Sequence, residues 1–268
     1  MEQHLHEHGD GWLELAVGGV LPGVVVLLAA LYVFGFVRCR RRGRDWSRTR
    51  LLLWLSGSLV CLAALVGPLA ELGHRSFAAH MVGHLLLGML GPLLLVRAAP
   101  VTLLLRVLPT TPARKVVRVL GSGPVRVVSH PLVSGAGNLG GVWLLYTTGL
   151  FGLSQSLPWL HALVHLHVLT FGYLFTAAVV GVDPDRHRSS FPVRSLLLVL
   201  FAAGHAILAK SIYARPPAGV PTEQAESGAM VMYYGGDVVE VLVLVLLWAA
   251  WYAATAPRTA RPGRLEAV

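Results

Sequence analysis

Long runs of apolar residues, separated by short clusters of charge, glycine and proline, dominate this 268-residue chain. A bilayer core about 30 Å thick takes roughly 20 helical residues to cross. On that length the pattern predicts seven spans, near 13–37, 51–70, 77–96, 132–153, 159–182, 195–213 and 229–252. Barrel strands would run about 10 residues and alternate apolar with polar positions, so the expected fold is all-α, a polytopic membrane bundle of seven transmembrane helices. Helices of this kind satisfy their own backbone hydrogen bonds in lipid. The whole chain, 1–268, reads as one transmembrane domain, with 1–12 an outer tail, 97–131 an amphipathic inner connection and 253–268 an inner tail. The segment Met1 to Asp10 is acidic and lacks a positive n-region, so the first apolar stretch is expected to stay as a span and not to be a cleaved signal.

Charge orients the spans. Lysine and arginine cluster in 38–50, 97–131, 183–194 and the tail after 253, and only Arg75, Lys210 and Arg215 lie elsewhere. By the positive-inside rule those four segments are cytoplasmic, which places the N-terminus outside and the C-terminus inside. In the connection 97–131, Leu103 to Leu105 and Val116 to Leu120 interleave with bases and are broken by Pro109, Pro112 and Pro124. That pattern predicts segments lying along the inner leaflet.

Composition agrees: 55% of residues are hydrophobic and 13% charged, mean hydropathy is +0.65, and soluble domains carry about 25% charge. The net charge of +9 would suggest nucleic acid in a soluble chain, but topology accounts for it here, and no nucleic-acid partner is expected. Cys39 and Cys61 form no C-x-x-C or C-x-C arrangement, so neither a disulfide framework nor a thiolate metal site is expected.

The candidate chemistry lies in two histidine pairs, His80-Met-Val-Gly-His84 and His161-Ala-Leu-Val-His165, with His167 close behind the second. Residues four apart share a helix face, and polar side chains at membrane depth mark functional sites because burying them in lipid is costly. Both pairs map to the outer third of their spans. Glu71, His74, His205, Asp237 and Glu240 converge on the same half, as do Met81, Met230 and Met232, whereas only His130 and His187 of the twelve histidines map inside. Imidazole suits copper, zinc, iron and nickel, and thioether favours Cu(I). The expected metal ligands are therefore His80, His84, His161 and His165, with Met81 and Asp237 weaker; on ligand type copper fits best and zinc next.

Enzyme signatures are missing. Neither pair is the H-E-x-x-H of zinc proteases, and neither a G-x-S-x-G elbow nor a G-x-x-x-x-G-K-[ST] phosphate-binding loop occurs, so no enzyme activity is expected. A haem-binding membrane oxidoreductase subunit is the main alternative, since axial histidines come from helix interiors. Two imidazoles one turn apart on one helix, however, do not take opposite axial positions. A copper or proton-coupled transporter ranks third, because the inner half shows no ionisable pathway.

The segment Phe77-Ala-Ala-His80-Met81-Val82-Gly83-His84-Leu85-Leu86-Leu87, followed by Gly91-Pro92-Leu93-Leu94-Leu95 and Ala99-Pro100, resembles the signature of the cytochrome c oxidase assembly factor family of the CtaG type. Leu160 to His165 is similar to that family's second histidine segment, and Gly228 to Tyr233 to its entry into the last span. The resemblance implies a seven-span cell-membrane protein that assists maturation of haem-copper oxidases. It implies copper delivery to the catalytic subunit, copper as a transient cargo, and a copper donor at the outer face. Matching positions are His80, Met81, His84, His161 and His165. Gly83 stands where Gln is usual, and Glu226-Ser227 where Asp-Gln often precedes the last span. A single-span, cysteine-using copper chaperone shares the family's short name, and this chain has neither of its features.

Overall fold

The computed structural model describes residues 3–185 and 187–256, with side chains from Gly18 onward. Among the described residues the fold is helical throughout. In chain order come α1 (Gln3–Arg41), α2 (Arg48–Leu65), α3 (Pro68–Arg75) and α4 (Phe77–Leu85), then a π-helical turn (Leu86–Leu90), α5 (Gly91–Arg97), α6 (Pro100–Val107) and α7 (Thr110–Leu120). They are followed by α8 (Gly123–Val128), α9 (Pro131–Thr147), α10 (Leu150–Ser156), α11 (Pro158–Val180), α12 (Phe191–Ala214) and α13 (Thr222–Thr255).

Among the described residues six segments are long and apolar enough to cross a membrane: Gly18–Arg41, Arg48–Arg75, Phe77–Arg97, α11, α12 and α13. Large apolar side chains such as Leu31, Leu52, Leu59, Leu196, Val238 and Val245 stand exposed around the outside, as a lipid-facing surface requires and a water-facing one does not tolerate in quantity. The chain is a multi-pass membrane protein.

The expected span 132–153 is divided. Its helix α9 stops at Thr147 after 17 residues, about 26 Å of rise, and the chain turns through Thr148 and Gly149 before α10 begins. Thr147 and Thr148 each bond their hydroxyl back to the carbonyl four residues earlier, at 2.6 Å, which competes with continuation of the backbone ladder. The span expected at 51–70 also breaks, at Gly67, whose φ of +85° suits glycine. Pro68 then starts α3 at a position where its missing N–H costs nothing.

The third span carries the π-turn just before Gly91-Pro92. Proline inside a helix cannot donate and crowds the carbonyl four residues back; here Gly91 N–H reaches five residues back to Leu86 instead, which absorbs the misfit. The turn lies against α11, where Gly172 meets the backbone of Gly88 so closely that a Cβ would collide with it. Glycine-to-glycine packing lets membrane helices approach, and α11 packs against the π-turn, α5 and α9.

The short helices α6, α7 and α8 occupy the connection 97–131, as its amphipathic pattern predicts. Asp183, just after α11, accepts from the backbone N–H groups of Val101 and Thr102 at 3.2 and 2.7 Å, holding the first turn of α6 with a negative charge at its positive end. Tyr32 of α1 donates to the Ala98 carbonyl at 2.8 Å and accepts from Trp46 at 3.1 Å.

Candidate functional site

α4, α11 and α3 bring imidazoles to one hollow. Ser76 begins α4 by accepting from the Ala79 N–H at 3.4 Å, and Pro158 begins α11, so both histidine pairs lie in the opening turns of their helices. A cavity of about 330 Å³ is lined by His74, His80, His161 and His165, with Ser154 and Gln155 of α10 at its side. The small residues Ala64, Ala70, Gly73, Ala79, Gly83 and Ala162 leave room in its wall, which Leu21 and Pro22 of α1, Leu65 of α2 and Leu69 of α3 help to complete. Gly83, where the resemblance leads one to expect a longer side chain, has nothing closer than the Ala64 carbonyl at 4.0 Å from a Cβ placed on it.

Within this group the His161 and His165 rings are 4.3 Å apart, centre to centre, and His74 stands 5.3 Å from His161. Two imidazoles on one tetrahedral ion, with metal–nitrogen bonds of about 2 Å, hold their ring centres about 5 Å apart. Among the described residues no three His, Cys, Asp or Glu side chains are yet grouped closely enough to hold a metal ion. His80 is fixed separately. Its Nε2 is 3.0 Å from the Tyr146 hydroxyl of α9, and its ring packs on Phe77 and Phe151 at 6.0 and 5.2 Å.

His84 shares the helix face of His80 but lies one turn deeper, off the cavity wall. Its ring is 6.2 Å from Tyr146 and 6.5 Å from His205 of α12. His205 is buried at 4% exposure, its Nδ1 standing 3.3 Å from Glu240 Oε1 of α13, a close approach without a hydrogen bond, and its Nε2 has no partner among the described residues. His167 is explained structurally: its Nε2 lies 3.0 Å from the Gly137 carbonyl of α9. Met81 is fully buried in an apolar cluster with Phe77, Tyr146 and Met232. Asp237 is half-buried and does not line the cavity, Met230 is exposed, and Cys39 and Cys61 are buried free thiols. The side chains of His4, His6 and His8 lie outside the described residues.

Two contributors were not among the ligands expected from sequence. His74 is isolated from either pair by spacing, and only the return of α3 onto α4 brings it to His161. Tyr146 carries no local signal, since its partner is 66 residues away.

Among curated proteins, uncharacterized proteins of Mycobacterium bovis and Mycobacterium tuberculosis are each 36% identical over 188 residues, which is 68% of this chain and 28% of theirs. An uncharacterized protein of Mycobacterium leprae is 28% identical over 254 residues, 87% of this chain and 38% of its own. The chain thus spans between about a quarter and two fifths of the length of these relatives. No solved structure matches. The family model of the cytochrome c oxidase caa3 assembly factor matches residues 30–254, from within the first span-length segment into the last and over both histidine pairs, and the chain belongs to that family, Caa3_CtaG.

Proposed function

We propose that this protein assists assembly of a cytochrome c oxidase by holding a copper ion transiently in the cavity between α1, α2, α3, α4, α10 and α11. The observation that carries this reading is the set of four imidazoles, His74, His80, His161 and His165, on one cavity wall. Imidazole is a copper ligand by type. Transfer requires a site that does not close into a satisfied tetrahedral cage, and imidazoles bordering an open cavity suit a cargo that must leave. Copper here is a substrate handed on, and the protein turns over no chemistry of its own.

The same reading makes α9 with α10 a seventh crossing and sets the N-terminus outside and the C-terminus inside the cell membrane. The basic connections lie at the end of the bundle away from the imidazoles, and the positive-inside rule supports that orientation. The cavity then opens outward, toward a copper donor, and the oxidase catalytic subunit is the recipient. His84, one turn deeper, is the first group the ion would meet on moving inward. Met81 and Asp237, which line no part of the cavity, have no place in the holding step.

Quantifying metal on the purified protein tests the reading. Copper bound by the wild type and lost in a His80→Ala, His161→Ala double variant is the expected result. A Soret band in place of copper would assign the site to haem, and a deletion strain with normal oxidase copper content would remove the assembly role.

A further inference from the structure

A second cavity, of about 480 Å³, opens at the end of the bundle opposite the imidazoles, between α8, the start of α9, the end of α11 and the segment after it. Its inner walls are apolar, formed by Val96, Val133, Leu174 and Ala178, and its rim carries Arg126 and Arg188. The rim's two carboxylates are already engaged. Asp183 accepts from Val101, Thr102 and the Thr102 hydroxyl, and Asp185 from the His187 N–H at 2.8 Å. Arg188 is held in place by one bond to the Asp183 carbonyl at 3.0 Å, which leaves its other N–H groups available. Among the described residues the Arg126 guanidinium makes no hydrogen bond or ion pair, the backbone N–H alone donating to the Ser122 carbonyl at 3.0 Å. His130 and His187 add two further ionisable groups to the rim.

The depth of this cavity is marked by α7, which exposes Val117, Val119 and Leu120 alongside Arg114, Lys115 and Arg118. A helix of that pattern lies in the plane between headgroups and acyl chains, and its last residue, Leu120, lines the cavity. An apolar slot at headgroup depth, edged by two guanidinium groups, matches a molecule with a fatty chain and a phosphate. Guanidinium binds phosphate through paired N–H donors, while a soluble anion would leave the apolar walls unused.

We propose that this cavity binds one anionic phospholipid, its phosphate between Arg126 and Arg188 and the first part of an acyl chain against Val133 and Leu174. The inference is independent of copper. The test uses the full-length protein, delipidated in detergent, with dioleoyl phosphatidylglycerol, dioleoyl phosphatidylcholine or inorganic phosphate added, read by native mass spectrometry and thermal unfolding. Phosphatidylglycerol should be retained and should raise the unfolding temperature, phosphatidylcholine should bind more weakly, and inorganic phosphate should do neither. An Arg126→Gln, Arg188→Gln variant, altered only at exposed positions, should bind phosphatidylglycerol about tenfold more weakly or worse, and Val133→Trp should weaken it by filling the slot. Copper content should stay unchanged in both. Equal retention of the two lipids by the wild type, protection by inorganic phosphate as strong as by lipid, or undiminished binding in either variant would overturn the proposal.

Discussion

The Tyr146 hydroxyl and His80 Nε2 are joined at 3.0 Å across the interface of α9 and α4, so one nitrogen of this imidazole is occupied and the other is turned to a defined direction. A hydrogen bond to one ring nitrogen selects which nitrogen is left for a metal, and such outer partners set affinity as well as orientation.

Tyr146→Phe is therefore expected to weaken copper binding about 10- to 100-fold. The ring still fills its place, so the loss in stability should be about 1 kcal/mol, the usual worth of one hydrogen bond. A competition titration with a copper chelator measures the first effect and thermal unfolding the second. Unchanged affinity would reduce Tyr146 to a packing residue.

His161 and His167 differ in role although six residues apart on one helix. His161 faces His74 and the cavity, and His161→Ala should lower copper stoichiometry with little change in unfolding temperature. His167 bonds the Gly137 carbonyl, and His167→Ala should retain copper while losing about 0.6–1.7 kcal/mol, the range for interhelical hydrogen bonds in membranes. Matching behaviour of the two variants would contradict the assignment.

Two glycines of the third span should respond oppositely to a methyl group. At Gly83 a Cβ meets nothing nearer than 4.0 Å, so Gly83→Ala is expected to stabilise by about 1 kcal/mol through helix propensity. At Gly88 the Cβ would stand 2.8 Å from Val168 Cγ1, and overpacking typically costs about 1–3 kcal/mol. Denaturation of both variants in the same detergent decides the point.

Breaking the His205–Glu240 pair should be among the most damaging of these changes. Both side chains are buried, at 4% and 7% exposure, and removing one partner leaves a polar group at membrane depth without its counterpart, a loss of about 1–3 kcal/mol. Glu240→Ala is expected to show it as reduced yield and a lower unfolding temperature. A variant as stable as the wild type would mean that Glu240 is not paired in the membrane.

The helical class, six of the apolar runs of span length and the position of the two histidine pairs on their helices were legible along the chain, because a bilayer demands apolar runs of a set length and a helix repeats its face every three to four residues. Local interruptions within the apolar runs were not legible in average hydropathy. At Thr148-Gly149 and at Gly67-Pro68 a few residues end a helix that the apolar count would continue. Spacing also treated His80 and His84 as equivalent, since both project from one face. Neighbouring helices separate them: α9 and α10 give His80 its partners Tyr146 and Phe151, while α12 offers His205 to His84.

What the sequence alone determined is which segments are apolar enough to cross a membrane and which of their residues are chemically unusual there, because those properties depend on composition and period within one segment. Which imidazoles share a cavity, that His74 joins them and Met81 does not, and that Tyr146 holds His80 were decided only by tertiary structure. Each of those relationships joins separate helices, and their register is set by close packing such as Gly88 on Gly172, which no single segment encodes.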